Sequence, residues 1–330
     1  MVPHLLHVFP SFDVGGAQVR AAALMNRFGD AFRHSVVSLD GRFDCAERLD
    51  PRVPFTRVEF PARPGDSLPA RLWRIRAALR ALRPDRLITS NWGSIEWAMA
   101  DAPPRAAPLL HMEDGFGPDE VGRQIPRRVW TRRVVLRGAR VLLPSRLLEG
   151  IARDIWQLPA RGLCYVPNGI DLARFTPAGA RADLAVPGEG PLIGTVAALR
   201  AEKNIARLLR AAALLRGEGL PFRLAVIGEG PERAALEAQG AALGIAPVTR
   251  FLGHVPDPAA AYRALDLFAL SSDTEQMPFS VLEAMGTGLA VASTDVGDVR
   301  VMLAPENAAL VTGRDEAALA AGLRPLLADA

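Results

Sequence analysis

Lys203 is the sole lysine in a chain whose 39 basic residues are otherwise arginine. It stands three residues after Arg200, where the apolar run PLIGTV (191–196) gives way to a helical pattern. Arginine offers a planar fork; lysine offers a compact, mobile charge with three donors. A chain that has kept one lysine at such a junction points to a diphosphate ligand, in preference to a chance surviving surface lysine. A second apolar run, FRLAVIG (222–228), opens into GEGPER, so a loop bearing Gly228 and Gly230 meets the same edge. The stretch 271–297 adds two carboxylates, Glu275 in a loop and Glu283 eight residues later in a helix that starts near a proline. An acid beside a phosphate site reads sugar hydroxyls, as acidic residues do for ribose; two solvated glutamates fit the same spacing. In the first half, HMED places His111, Glu113 and Asp114 at the end of an apolar run. His111 reads equally as a ligand contact or as a hydrogen-bonded residue at a strand terminus. Gly15 and Gly16 sit between the first apolar run and a helix, where backbone N–H groups meet an anion or simply make a tight turn. His34 and His254 read as structural, and His4 and His7 sit in or near the first strand.

These residues need a scaffold that brings strand ends together. Strand-like runs fall at 4–9, 34–39, 85–90, 107–112, 139–144 and 163–167, with a helical stretch at 67–83 between them. The second half repeats the rhythm at 191–196, 222–228, 248–253, 265–270 and 289–294. Continuous apolar strands alternating with helices predict parallel sheets covered on both faces. Two such series predict an α/β protein of two Rossmann-like domains, 1–172 and 173–330. The break lies in the aperiodic, Pro- and Gly-rich stretch 171–191. The segment from residue 123 to 146 carries eight arginines and no acid, interleaved with Val129, Trp130 and Val134. It reads as one basic helix, lying on an anionic membrane surface, simply solvated, or contacting an acidic acceptor.

A length of 330 residues supports two domains, and a net charge of +3 gives no global reason to expect nucleic acid. Cys45 and Cys164 stand apart without a CxxC context, which argues against a disulfide framework or a zinc site. No basic leader precedes the first apolar run, and no stretch reaches the ~20 apolar residues of a membrane span. A cytoplasmic protein is expected.

Taken together, VPNGID (166–171), GTVAALRAEKN (194–204), VIGEGPER (226–233), FLGHV (251–255) and SSDTEQMPFSVLEAMGTGLAVAS (271–293) resemble the retaining glycosyltransferases of glycosyltransferase family 4, bacterial polysaccharide and glycolipid enzymes among them. The resemblance implies the GT-B architecture, two facing Rossmann-like domains with a cleft for a UDP- or GDP-sugar donor. It implies that Arg200 and Lys203 bind the diphosphate without a metal or other cofactor. It places Gly15, Gly16, Gly228, Gly230, Val281 and Leu282 at the donor. Glu283 would read the ribose, Glu275 the transferred sugar. His111 would touch that sugar, and Glu113 or Asp114 would orient it or the acceptor. The acceptor would be a glycan or lipid-linked saccharide, at the inner face of the membrane if the arginine-rich segment docks there. Gln276 stands where the family usually has glycine, and Val301 where a glutamate is common. The family usually carries a further C-terminal helical segment beyond the point where this sequence stops, so a crossover helix is expected to be absent. A nucleotide-sugar epimerase and a non-catalytic binding scaffold are the rival readings; the pair Glu275 and Glu283 argues against the first, and the intact set of charged residues against the second.

Overall fold

A computed structural model describes residues 2–116, 118–120, 123–255 and 257–328. Gly117 in the stretch after His111, and Gly122 just before the arginine-rich segment, lie outside the described residues. The chain divides into two units, Met1–Pro167 and Asn168–Ala330. The division falls five residues before the boundary expected from the sequence, because Asn168 is tied to the second unit: its Nδ2 donates to Met277 O at 2.8 Å.

The first unit holds a sheet of β1 (His4–Phe9), β2 (Arg33–Ser38), β3 (Phe55–Val58), β4 (Arg86–Ser90), β5 (Leu109–Met112), β6 (Arg140–Leu143) and β7 (Leu163–Tyr165). Its spatial order is β3-β2-β1-β4-β5-β6-β7, with every pair parallel. The helices α1 (Gly16–Phe28), α2 (Leu68–Leu82), α3 (Ile95–Ala100), α4 (Pro126–Val135) and α5 (Arg146–Asp154) cover it. Leu6, Val8, Leu87 and Val141 pack with Ile75, Leu79, Trp97 and Trp156 in one buried cluster. Central strands buried on both faces explain the unbroken apolar runs. β3 escaped the sequence reading for the same reason in reverse: FTRV is a half-exposed edge strand with polar residues.

The second unit repeats the plan with β8 (Leu192–Val196), β9 (Arg223–Ile227), β10 (Thr249–Gly253), β11 (Leu267–Leu270), β12 (Ala290–Thr294) and β13 (Val311–Thr312), ordered β10-β9-β8-β11-β12-β13 and parallel. Its helices are α6 (Ile205–Gly217), α7 (Arg233–Ala242), α8 (Pro258–Ala264), α9 (Phe279–Gly286), α10 (Val299–Met302) and α11 (Glu316–Ala328). Leu208, Leu209 and Leu215 of α6 meet Leu319 and Leu323 of α11 over one face of the sheet. Tyr262, Phe268 and Val281 fill the other. In both units the strand order reverses beside the first strand of the unit. That switch point, at the carboxyl ends of the strands, is where open α/β sheets hold ligands.

The arginine-rich segment is not one helix. α4 stops at Val135, Gly138 follows, and residues 140–143 form β6 before α5 begins. The apolar run at 139–144 is buried as a strand, and that burial outweighs helical continuation. Among the described residues, no helix is long and apolar enough to cross a membrane.

Candidate functional site

In the second unit, the switch point lies between β8 and β11. The loop after β8 leads into a 3₁₀ turn, Ala201–Lys203, and then into Asn204, which adopts the left-handed conformation (φ 42°, ψ 50°). Asn tolerates this conformation better than most residues, and its Oδ1 caps α6 by accepting from Arg207 N at 3.1 Å. The turn therefore holds Lys203 at the strand end instead of carrying it round the helix. The loop after β11 is stitched to it. Arg207, only 7% exposed, donates to Ser271 O at 2.7 Å and Asp273 Oδ1 at 2.6 Å. Asn204 Nδ2 reaches Asp273 Oδ2 at 3.0 Å, and Ser271 Oγ donates to Lys203 O at 3.1 Å.

This lacing brings two of the expected residues together. Lys203 Nζ donates to Glu275 Oε1 at 2.6 Å, and Ser272 Oγ donates to the same oxygen at 2.8 Å. The lysine side chain is 25% exposed and the glutamate 12%. Arg200 is exposed at the mouth of the turn, and among the described residues no carboxylate pairs with it.

The glycines after β9 act through the backbone. Gly228 has φ +135°, and a Cβ there would lie 1.9 Å from Ala197 O; one on Gly230 would lie 2.3 Å from Leu199 O. Their absence lets the two loops join, Ala197 N to Ile227 O at 3.0 Å and Leu199 N to Glu229 O at 2.9 Å. Gly228 N already donates to Gly253 O at 2.8 Å, so that N–H is spent inside the fold.

α9 starts after Pro278 with no side-chain cap, which leaves the first-turn N–H groups, those of Val281 and its neighbours, without a capping side chain. The Val281 side chain is wholly buried in the core, so only its backbone can meet a ligand; Leu282 is half-buried. Glu283 lies against Tyr262 of α8. Burial pushes its carboxyl above the usual range, and the Tyr262 phenol and Arg174 pull it partly back.

In the first unit, a pocket of about 420 Å³ opens at the ends of β1, β4 and β5, lined by Pro10, Asn91, Trp92, Asp114, Phe116 and Arg128 among others. Asn91 carries φ +56°, an uncommon conformation outside glycine. Its Oδ1 accepts from Asp114 N at 2.7 Å, and its own N–H donates to Met112 O at 2.8 Å. Asp114 Oδ1 pairs with Arg20 of α1 at 2.7 Å, while its buried Oδ2 finds no partner among the described residues. Burial raises the Asp114 carboxyl, the Arg20 charge opposes the rise, and nearby Glu113 adds to it. Gly15 precedes α1 with no side-chain cap, and Gly16, its first residue, is exposed.

Behind the pocket, His111 and Glu113 are fully buried. Thr89 Oγ1 lies 2.8 Å from His111 Nδ1, and Glu113 Oε2 lies 3.5 Å from Nε2. Both ring nitrogens thus face protein groups. Arg132, 1% exposed, reaches Glu113 Oε2 at 3.2 Å and both Glu120 oxygens at 3.1–3.2 Å. Its guanidinium sits 4.9–5.5 Å from the rings of Trp92, Phe116 and Trp156. Burial works against the Glu120 charge, yet the hydrogen bonds from Arg132 and Arg128 hold its carboxyl below the ordinary value. Two members of the arginine-rich segment are therefore internal ligands of an acidic loop. Arg133 caps the carbonyls of Ile155 and Trp156, and Arg146 pairs with Glu149 at 2.7 Å. Arg123, Arg127, Arg137 and Arg140 remain on the surface with Trp130 and Val134.

The sequence reading missed Asn91, Trp92, Glu120 and Arg132 in the first unit and Asn204, Arg207 and Asp273 in the second. A signal existed for two of them: Asn91 and Trp92 precede a glycine right after an apolar run, the place where a strand end meets a ligand.

The sequence profile described as "Glycosyl transferase 4-like domain" matches residues 15–169, and the one described as "Glycosyl transferases group 1" matches residues 190–329. A D-inositol 3-phosphate glycosyltransferase of Corynebacterium urealyticum is 34% identical over 183 residues, which cover 51% of this chain and 43% of that protein. The chain matches about half or less of the length of the first such relatives. Sucrose-phosphate synthase from Thermosynechococcus elongatus superposes with a TM-score of 0.81 at 21% identity, covering 99% of this chain and 90% of that one. Anabaena HepE in complex with UDP gives 0.78 at 16% identity, covering 99% and 90%. The chain has the GT-B fold and belongs to the group 1, family 4-like glycosyltransferases.

Proposed function

We propose that the protein is a glycosyltransferase that moves a sugar from a nucleoside diphosphate to a glycan or lipid-linked saccharide, with retention at the anomeric carbon. The observation that carries this reading is the Lys203–Glu275 pair at the β8–β11 switch point, with Arg200 exposed beside it and without a carboxylate partner among the described residues. One cation and one carboxylate 2.6 Å apart can address the two halves of a sugar diphosphate at once. Lys203 and Arg200 would meet the charge that grows on the departing diphosphate, so no metal is required for that task; groups fixed in place for such charge contribute most of the rate enhancement in many enzymes. Glu275 would accept hydrogen bonds from the transferred sugar. Glu283 would do so from the ribose, and the open N–H groups of α9 would face phosphate oxygens. In the step itself, the acceptor oxygen forms its bond to the anomeric carbon on the face the phosphate leaves, and a phosphate oxygen takes the acceptor's proton.

The pocket of the first unit suits a hydroxyl-rich acceptor. Its lining includes Asp114 and Trp92, and a carboxylate beside an indole suits a hydroxyl-rich ring. UDP and GDP donors both stand; the UDP complex of Anabaena HepE supports UDP. The exposed arginines around Trp130 support work at an anionic membrane surface, on the cytoplasmic side.

The test is a melting-temperature panel with UDP, GDP and their sugar conjugates, followed by transfer assays on Lys203→Ala. A selective rise with one base and a loss of transfer in the variant are expected. Donor turnover without any acceptor would instead favour the epimerase, and binding without transfer to any acceptor the scaffold.

A further inference from the structure

We infer that Glu275 acts as a built-in counter-ion for Lys203 until nucleotide binds, and that this pair makes the enzyme favour a sugar-bearing nucleotide over the bare nucleoside diphosphate that transfer leaves behind. The inference rests on the reading of Lys203 as the diphosphate ligand. Its own basis is the arrangement of the pair. The lysine charge is not waiting open: its Nζ sits 2.6 Å from Glu275 Oε1, with the carboxylate 12% exposed and held from the other side by Ser272 Oγ at 2.8 Å. Arg200, by contrast, is exposed and has no carboxylate partner among the described residues. An incoming diphosphate must therefore take Lys203 away from a partner it already has.

What happens to Glu275 then decides the preference. A carboxylate largely removed from water that loses its cation, and gains a phosphate as neighbour, is poorly compensated. With a bare nucleoside diphosphate, only Ser272 remains to it among the described residues. With a sugar attached, the hydroxyls of that sugar replace the lost ammonium donor. The same carboxylate thus opposes the product and accepts the substrate, a difference of affinities set by a repulsive element as much as by an attractive one. The lacing of the two loops through Arg207, Asp273 and Asn204 keeps the loop that carries Glu275 beside the turn that carries Lys203.

The experiment is titration calorimetry of UDP, GDP, UDP-glucose and GDP-mannose on the purified chain, as wild type, E275Q, K203A and the double variant. In E275Q, whichever nucleotide binds should bind about tenfold tighter as the bare diphosphate, the size of losing one moderate repulsion (about 1.4 kcal/mol). The sugar conjugate should gain less than the bare nucleotide, so that the preference for it shrinks. K203A should weaken the bare nucleotide, and the gain from E275Q should vanish in its background. Glu275→Ala repeats the test with the side chain removed, and the ligand-free melting curve shows that each variant is folded. If K203A weakens the nucleotide while neither Glu275 variant tightens it, the counter-ion inference falls and the diphosphate reading stands. If K203A leaves nucleotide affinity unchanged, the diphosphate reading falls and takes the inference with it. Absence of any nucleotide binding across the set would overturn both.

Discussion

Replacing Arg132 by methionine tests how the acidic loop of the first unit is held. Methionine keeps much of the side-chain volume among Trp92, Phe116 and Trp156 and removes the charge. Glu113 and Glu120, both almost fully buried, would lose the guanidinium that lies 3.1–3.2 Å from their oxygens. Removing one partner of a buried ion pair costs about 3–5 kcal/mol, because the other charge stays buried without compensation. The ring contacts at 4.9–5.5 Å add a further loss of ~1 kcal/mol. Arg128 remains on Glu120 at 3.1 Å and offsets part of this, so about 4 kcal/mol is expected. For a unit of this size, each kcal/mol moves the midpoint by roughly 2–4 °C, which gives a fall of about 8–16 °C. The assay is selective, since all five tryptophans, at 73, 92, 97, 130 and 156, lie in the first unit. Tryptophan fluorescence follows that unit alone. The pH dependence adds a second check. In the wild type, the depressed Glu120 carboxyl contributes stability that is present above its unfolded-state value and lost as the pH falls through its folded value. In the variant, Glu120 loses the Arg132 hydrogen bonds that hold its carboxyl down while burial still pushes it up, so acid relieves it. The gap between the two proteins should therefore narrow between pH 7 and about pH 4.5. A gap below ~1 kcal/mol at neutral pH, or one indifferent to pH, would refute the reasoning.

Three further outcomes are expected. Gly228→Ala should cost at least ~3 kcal/mol, because a Cβ would sit 1.9 Å from a backbone oxygen at φ +135°; urea denaturation of the second unit reads it, and a near-neutral result would mean the loops can part. Glu283→Gln should be stabilising at neutral pH and close to neutral at pH 4. The raised carboxyl of Glu283 means that wild-type stability is lost as the pH rises through its folded value, and melting curves at both pH values should show the difference grow with pH. Asp114→Asn should leave nucleotide affinity within about twofold and cut transfer about 100-fold, as the loss of a well-placed hydroxyl acceptor does; equal loss of both would separate the first-unit pocket from the acceptor.

That Lys203 and Glu275 meet at the carboxyl ends of β8 and β11 was partly legible, because strand-end spacing is local. Arg200 and Lys203 follow one apolar run, Glu275 follows another, and parallel-sheet topology brings the two ends together. What the spacing did not show was that Lys203 and Glu275 would be partners. A contact across 72 residues depends on Asn204 entering the left-handed region and on Arg207 tying down the 271–273 loop. His111 and Glu113 were correctly placed at a strand end, but their burial could not be read from sequence, since it is set by Arg132 arriving from α4. The arginine-rich segment looked free of acid partners for a related reason. Charge counts along a chain ignore acids elsewhere, and Glu120 and Glu113 lie outside the run that they neutralise. The edge strands β3 and β13 were missed because they are short or half polar.

The lone lysine also makes the site chemically addressable. Apart from the α-amino group, Lys203 supplies the only primary amine of the chain, and a quarter of its side chain is open to solvent. A reagent that forms an imine with an anionic aldehyde, fixed by reduction, has one side-chain target here, and mass spectrometry would read its occupancy from a single peptide. Tag density then becomes a direct gauge of how much of the site is empty, ligand by ligand, without any need to know the acceptor.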